Sequence, residues 1–223
     1  MELGDGKVKL EFLGHAGFFV SCKKKVAIDP YNVSSKVLKA DIILITHGHY
    51  DHCSIKDIAK VADNGTVVVC PVDCQSKIMK VKGVDIQVVE VGDVLNFGDV
   101  KIEAFPAYNK KSSHHPKNEG WFGYVLKIDE VIIYYSGDSD YIPEMQRLSG
   151  YGKHGNEFVA LLSVSGEQTM DADEAAEVAS ILSPHLAIPM SYGAGVYGTL
   201  EDAEHFVKLC KEKNIKSVIL EKI

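Results

Sequence analysis

The sequence predicts a mixed α/β (α+β) protein built as a four-layer αββα sandwich, with two packed β-sheets and helices on their outer faces. Short apolar runs separated by glycine, asparagine and aspartate turns predict strands along the whole chain. These strands form two groups, and each group is followed by segments with helical spacing. The chain of 223 residues fits one domain, to which we assign residues 1–223.

The first half opens with an antiparallel meander, followed by alternating strands and helices. The apolar run 42–45 predicts a strand buried on both faces. Helical spacing follows Ser54, a candidate N-cap, and ends before Asn64-Gly65. The remaining predictions are meander strands at 7–13, 18–22 and 25–28, a strand at 66–70, a helix at 72–81, a strand at 86–91, and two strands within 94–105 that turn at Gly98-Asp99.

The second half repeats this order. A hairpin around Asp129-Glu130 would join strands at 121–128 and 131–135 and deliver residues 136–140 at a strand end. Asp171 followed by Glu174 predicts a capping box. Helices are predicted at 142–148, 171–182 and 200–213, and strands at 158–163, 186–189 and 217–220.

Composition limits the class of partner. No apolar stretch is long enough to span a membrane, and the N-terminus lacks the apolar core of a signal peptide, so we expect a cytoplasmic protein without a membrane partner. A net charge of −7 disfavours nucleic acid as a partner, because binding phosphates requires clusters of lysine and arginine. The five cysteines are odd in number and irregularly spaced, which favours reduced thiols. A small-molecule substrate is expected, and the oligomeric state stays open.

Residues 47–52 read HGHYDH and follow directly on the apolar strand. Gly48 allows a tight turn, so His47 and His49 can converge on one metal ion. Asp51 and His52 would then bind a neighbouring ion or orient a water molecule. Surface histidines with a helix-capping aspartate are the alternative, but four ligand-type residues within six positions favour a metal site.

HGHYDH resembles the HxHxDH signature of the metallo-β-lactamase fold hydrolases. The chain is most similar to compact, single-domain members related to ascorbate-6-phosphate lactonases, and further matching motifs are LGHAGFF, IDP, GDSD and IPMSYG. The resemblance implies a metal-activated water that attacks an ester, lactone, amide or phosphodiester bond of a small substrate. It also implies that Asp138 bridges two metals and that Asp51 orients or deprotonates the water. His15 would lie near the site or serve as a structural histidine.

Two departures from the family pattern affect the ligand set. Asn109 stands where the family has a histidine, and His114 and His115 follow in the same loop. We favour His115 as the replacement because Pro116 restricts its backbone, although exposed histidines in a mobile loop are the alternative. Ser191 also replaces a histidine, and its hydroxyl is a weaker ligand.

We therefore expect a tight first metal site at His47, His49 and Asp138 and a weak second site at Asp51 and His52, with one or two ions per chain. Zinc is the first expectation, and manganese or iron also suits mixed nitrogen and oxygen ligands. A degenerate member that only binds a ligand or a metal is the main alternative. A nuclease function is disfavoured because the chain has no basic face. A diiron oxidoreductase function suits the ligand types, but no flavin-binding segment accompanies them.

The loop 107–120 carries three lysines in an acidic protein, Lys110, Lys111 and Lys117. We expect this loop to cover the site and to attract an anionic group of the substrate, with solvated lysines as the alternative. Asn109, Lys110 and Ser191 are accordingly assigned to substrate binding.

Overall fold

The computed structural model describes residues 1–34, 36–153 and 155–223. Within these ranges the chain forms two β-sheets, one of seven strands and one of six, and four α-helices. Of the helices in these ranges, none has the length and apolar character needed to cross a bilayer.

The first sheet holds its seven strands in chain order. They are β1 (Glu2–Leu3), β2 (Val8–Gly14), β3 (Gly17–Ser21), β4 (Lys25–Ile28), β5 (Ala40–Leu44), β6 (Ala62–Cys70) and β7 (Val84–Val88). Strands β1 to β4 pair antiparallel, and β4 to β7 pair parallel. Helix α1 (Ile55–Val61) connects β5 to β6, and α2 (Val72–Ile78) connects β6 to β7.

The second sheet has the same division into antiparallel and parallel parts. Its strands are β8 (Val94–Asn96), β9 (Val100–Pro106), β10 (Phe122–Ile128), β11 (Val131–Tyr135), β12 (Glu157–Ser163) and β13 (Leu186–Met190), again in chain order from one edge. Strands β8 to β11 are antiparallel, and β11 to β13 are parallel. Helix α3 (Ala172–Leu182) precedes β13, and α4 (Leu200–Glu212) follows it.

Helices cover the outer face of each sheet, as the predicted αββα sandwich requires. Ile58 of α1 and Ile78 of α2 belong to one apolar cluster with Ile43 of β5. On the other side, α3 and α4 contact each other and strands β12 and β13. A second apolar cluster, which includes Phe18 and Tyr135, fills the space between the sheets. The predicted fold class is therefore confirmed.

Several predicted boundaries were wrong. The helix predicted at 72–81 ends at Ile78, and the strand predicted at 86–91 spans Val84–Val88. Strand β6 already begins at Ala62, and the short strand β1 was not predicted. The Ser54 hydroxyl does not cap α1 but donates to Asp57 Oδ2 at 2.7 Å.

Two further differences concern the C-terminal half. The strand predicted at 217–220 is absent from the described residues, because this segment makes only single bridges, Ser217 with Ala187 and Lys222 with Phe12. Asp171 does cap α3 by accepting from the Glu174 N–H at 2.8 Å. The Glu174 carboxylate, however, binds Lys111 and so does not complete a capping box.

The arrangement of parallel strands positions the functional site. The segments that follow β4, β5, β11 and β13 contact one another at one edge of the sandwich. Asp29 follows β4, His47 follows β5, Asp138 follows β11 and Ser191 follows β13. Carboxyl ends of parallel strands lie at the same edge, which explains why these four side chains meet.

Candidate metal centre

The HGHYDH segment makes a tight turn after β5. A Cβ atom at Gly48 would lie 2.5 Å from Asp73 Oδ2, so a larger residue there would displace the Asp73 carboxylate of α2. The backbone N–H groups of His52 and Cys53 both donate to the His49 carbonyl, at 3.2 and 2.8 Å. This single turn brings the His47 and His52 ring centroids to 4.1 Å and those of His47 and His49 to 4.7 Å.

Three imidazoles converge on a first position. His47 Nε2 lies 3.0 Å from His49 Nδ1, and His115 Nε2 lies 3.2 Å from the same atom. One ring nitrogen from each histidine lies within 4.8 Å of the other two. His115 arrives from the loop between β9 and β10, where the sequence pattern favoured it over His114, which is exposed.

Hydrogen bonds to the outer nitrogens fix the ring tautomers. Thr46 Oγ1 donates to Asp29 Oδ2 at 2.7 Å, so it accepts from His47 Nδ1 at 2.9 Å. His115 Nδ1 donates to Asn109 Oδ1 at 2.9 Å and also lies 3.1 Å from the Gln168 carbonyl. Both rings therefore turn an Nε2 lone pair towards the centre.

A divalent metal suits this arrangement. A proton on His49 Nδ1 could satisfy only one of the two lone pairs that face it, whereas a cation would attract all three nitrogens. Tetrahedral zinc with bonds of about 2.0–2.1 Å separates its ligands by roughly 3.3 Å, close to the observed spacing.

A second position is formed by His15, Asp51 and His52, which also lie within 4.8 Å of one another. His52 Nδ1 donates to Asp29 Oδ2 at 2.7 Å, which leaves a lone pair on Nε2. That buried nitrogen has no hydrogen-bond partner among the described residues. It faces Asp138 Oδ2 at 3.3 Å and Asp51 Oδ2 at 3.6 Å. In the neutral His52 ring this lone pair faces two carboxylates, which either a proton on Nε2 or a metal ion between these groups would neutralise, so these residues also fit a metal.

Asp138 lies between the two positions. Its Oδ2 atom is 3.3 Å from His52 Nε2 and 3.6 Å from His115 Nε2. Burial alone would raise the pKa of Asp138, but the neighbouring His52 and His115 rings hold that pKa well below its usual range. The carboxylate therefore stays ionised and available to both positions.

The protonation of the imidazoles differs between the positions. Burial lowers the pKa of His47 well below its ordinary value, and it lowers the pKa of His49 and His115 as well. Burial also opposes protonation of His52, but Asp138 and Asp29 raise its pKa well above the ordinary value. The first position thus presents neutral imidazoles, whereas the second attracts a positive charge.

The residues assigned to substrate binding lie in different surroundings. Asn109 is buried behind His115, because its Oδ1 accepts from that ring and its Nδ2 donates to Asp140 Oδ1 at 3.4 Å. This placement orients His115 and gives Asn109 no open face. Ser191 Oγ lies 3.1 Å from Ser163 Oγ and 3.5 Å from Asp138 Oδ1, beside the second position.

Two of the three loop lysines form ion pairs with glutamates. Lys111 binds Glu174, and Lys117 Nζ lies 3.0 Å from Glu144 Oε1, so neither offers an unpaired charge to a substrate. Lys110 Nζ lies over the Tyr141 ring, 5.4 Å from its centroid. The loop does cover part of the centre, since it supplies His115.

Two residues of the site were missed in the sequence. Asp29 binds Thr46 and His52; it belongs to the matching motif IDP, but no role at the site was assigned to it from the sequence. Trp121, the single tryptophan of the chain, has its ring centroid 5.0 Å from that of His47 and 5.1 Å from that of His49. Its Nε1 donates to Asp73 Oδ2 at 3.2 Å. Trp121 therefore forms an apolar wall beside the first position.

Comparisons with known proteins agree with this geometry. Residues 9–191 match the family described as the Beta-lactamase superfamily domain. The chain is 35% identical over 223 residues to a UPF0173 metal-dependent hydrolase of Pyrococcus furiosus, with 96% of each chain covered. It is similar to the solved structure of a Parabacteroides distasonis protein described as a metal-dependent hydrolase, with 28% identity, a TM-score of 0.82, and coverage of 99% of this chain and 97% of the other.

A metallo-beta-lactamase fold protein from Bacillus subtilis has a TM-score of 0.71 at 12% identity, with 96% of this chain and 97% of the other covered. At that identity the likeness shows the fold alone. Together with the family match, it confirms the metallo-β-lactamase fold that the sequence motifs implied.

Proposed function

Because the chain belongs to the UPF0173 metal-dependent hydrolases of the metallo-β-lactamase superfamily, we propose that it hydrolyses a bond in a small molecule at the centre described above. The bond would be an ester, lactone, amide or phosphodiester. The observation that carries this proposal is the convergence of the His47, His49 and His115 nitrogens on one point.

The proposed ligand set follows the geometry. His47, His49 and His115 would hold a first ion, Asp51 and His52 would contribute to a second, and Asp138 would be shared between them. Zinc is the proposed metal, with manganese or iron as alternatives for mixed nitrogen and oxygen ligands. A divalent ion held there would supply a nucleophile by lowering the pKa of water and would polarise the substrate oxygen.

The chain's own residues position the reacting groups. Asp29 and Asn109 hold the rings of His52 and His115 in place through their outer nitrogens. Asp51, buried and ionised, would orient or deprotonate the attacking water. Trp121 excludes solvent from one side of the first position.

A small cavity adjoins the candidate centre on the side of His15. Its volume is about 270 Å³, and its lining includes His15, Tyr31, Tyr192 and Lys222. This volume lies just below the roughly 300–1,000 Å³ of typical small-molecule pockets, so it would admit only a small group. Since Lys111 and Lys117 are paired with glutamates, the expectation of an anionic substrate now rests mainly on Lys110.

The proposal is tested by elemental analysis of protein purified without chelator, with His47→Ala as the comparison. We expect about one or two equivalents of metal in the unsubstituted protein and a clear loss in the variant. Phosphoesters and lactones would then be screened with the metal found. Absence of metal from both proteins, even after reconstitution, would contradict the proposal and favour a degenerate ligand-binding member of the fold.

A further inference from the structure

We infer that His15 is a metal ligand and supplies the second position with the imidazole that Ser191 does not provide. The second position would then hold its ion through His15, Asp51 and His52, with Asp138 shared. This rests on the proposed function, because it requires that a metal centre exists at this edge of the sandwich.

Proximity and burial are the first support. His15 Nε2 lies 2.9 Å from Asp51 Oδ2, and the same oxygen lies 3.6 Å from His52 Nε2. The His15 and His52 ring centroids are 5.7 Å apart. His15 is 3% exposed, Asp51 6% and His52 0%. Two imidazole nitrogens and a carboxylate therefore share one buried volume, which is a donor set that suits a divalent transition metal.

The backbone supplies an independent observation. His15 has a φ of 56° and Ser191 a φ of 65°, both in the left-handed region that costs a non-glycine residue roughly 1–2 kcal/mol. The two residues are joined, because the Ser191 N–H donates to the His15 carbonyl at 2.9 Å. Strained conformations of this kind persist where surrounding structure holds a side chain in a functional direction.

Ser191 itself is a poor substitute for a histidine ligand at the second position. Its Oγ lies 3.5 Å from Asp138 Oδ1 and shares a hydrogen bond with Ser163 Oγ at 3.1 Å. A neutral hydroxyl in this position adds little affinity compared with imidazole. His15 accepts a backbone hydrogen bond from Ser191 and brings an imidazole to the same position from the end of β2.

A purely orienting role for His15 makes a different prediction. In that role Nε2–H donates to Asp51, and a side-chain amide that donates the same hydrogen bond would serve as well. In the ligand role, Nε2 must give its lone pair to the metal, and glutamine cannot replace it. His15→Gln therefore separates the two roles.

The test is a titration of metal-free protein with Co²⁺, followed by absorption and equilibrium dialysis. We expect the unsubstituted protein to bind two ions. His15→Gln should retain the first ion and bind the second about 100-fold more weakly, a loss at least as large as that for an outer partner. His15→Gln combined with Ser191→His should recover most of that affinity. His205→Gln, an exposed histidine, should change neither ion.

The outcomes separate this inference from the proposed function. No Co²⁺ binding by the unsubstituted protein would overturn the metal centre itself. Binding of one ion only, or a second ion held equally well by His15→Gln, would overturn the role of His15 and leave the first position intact.

A variant that fails to fold does not block the test, since ¹¹³Cd–¹H correlation spectra of the unsubstituted protein report ligation directly. Coupling of a cadmium ion to the His15 ring protons as well as to those of His52 would support the inference. Coupling to His52 without His15 would overturn it.

Discussion

Three histidines of the candidate centre each have an outer partner that decides which ring nitrogen faces the proposed metal position. Asp29 holds the His52 ring, Thr46 the His47 ring and Asn109 the His115 ring. Such partners fix the tautomer and raise the basicity of the ligand. Asn109 thus holds in place the His115 ring, the proposed ligand that comes six residues later.

His115 and His114 provide a matched pair of substitutions at this scale. Replacing His115 by alanine removes an inward nitrogen, so metal affinity at the first position should fall by more than the roughly 10–100-fold cost of losing an outer partner. His114→Ala should have no effect, because His114 is exposed and, within the described part of the chain, binds only Ser112 of its own loop. Competition with a chromophoric chelator measures the metal affinity of both variants. Equal affinities in the two variants would remove His115 from the ligand set.

At the scale of elements, helix α1 holds the segment that follows Asp29. The Asp57 carboxylate accepts from the Asn32 and Val33 N–H groups at 3.1 and 3.3 Å and from Lys60 Nζ at 2.8 Å. Burial alone would raise the pKa of Asp57, but hydrogen bonds from Lys60 and Ser54 outweigh it and lower that pKa. The ionised carboxylate therefore contributes to folding stability.

Asp57→Asn should lower the free energy of unfolding by about 1–3 kcal/mol near neutral pH, because charged hydrogen bonds are weakened. A depressed folded pKa stabilises above the unfolded value of about 3.9, and the contribution is lost as pH falls through the folded pKa. The difference from the unsubstituted protein should therefore shrink below about pH 4.

Urea unfolding at several pH values measures this effect. Asp99→Asn is the control, since the one ion pair of Asp99 among residues 1–34, 36–153 and 155–223 is an exposed pair with Lys23, and its loss should change stability by less than about 1 kcal/mol. A difference for Asp57→Asn that stays constant down to acid pH would refute the assigned charge effect.

At the scale of the whole molecule, the two sheets are joined at the metal centre. Tyr135 of β11 donates its hydroxyl to Asp29 Oδ2 at 2.8 Å, and Tyr124 of β10 donates to the Ile45 carbonyl at 2.8 Å. Asp29 thus receives hydrogen bonds from both halves of the chain. Stability of the sandwich and orientation of His52 depend on the same carboxylate.

Tyr135→Phe should therefore destabilise the protein by about 1.5–3 kcal/mol, the usual cost of losing a hydrogen bond to a charged group. It should also weaken metal binding at the second position, since Asp29 loses a partner. Tyr134→Phe is the matched control, because the buried Tyr134 hydroxyl has no hydrogen-bond partner among the described residues. Its removal should leave stability unchanged or raise it.

Thermal unfolding and metal titration of both variants check this prediction. A Tyr135→Phe protein that is as stable as Tyr134→Phe would show that the contact with Asp29 does not join the sheets energetically.

Local sequence was sufficient for the fold and for part of the site. Apolar runs and turn residues located most strands and both pairs of flanking helices, because these patterns depend on neighbours along the chain. The ligand-type residues of HGHYDH were equally visible, since they lie within six positions on one turn. The motifs also identified the superfamily before any contact was known.

Tertiary structure alone decided how the distant residues meet at the candidate centre and which residues support them. Asp29 follows β4, whereas His115 and Trp121 both come from the loop between β9 and β10, and His15 meets Ser191 only because β2 and β13 end at the same edge of the sandwich. The same packing placed Asn109 behind His115 and paired Lys111 and Lys117 with glutamates. Sequence spacing carries no information on these contacts, because they depend on how two sheets stack and where their loops converge.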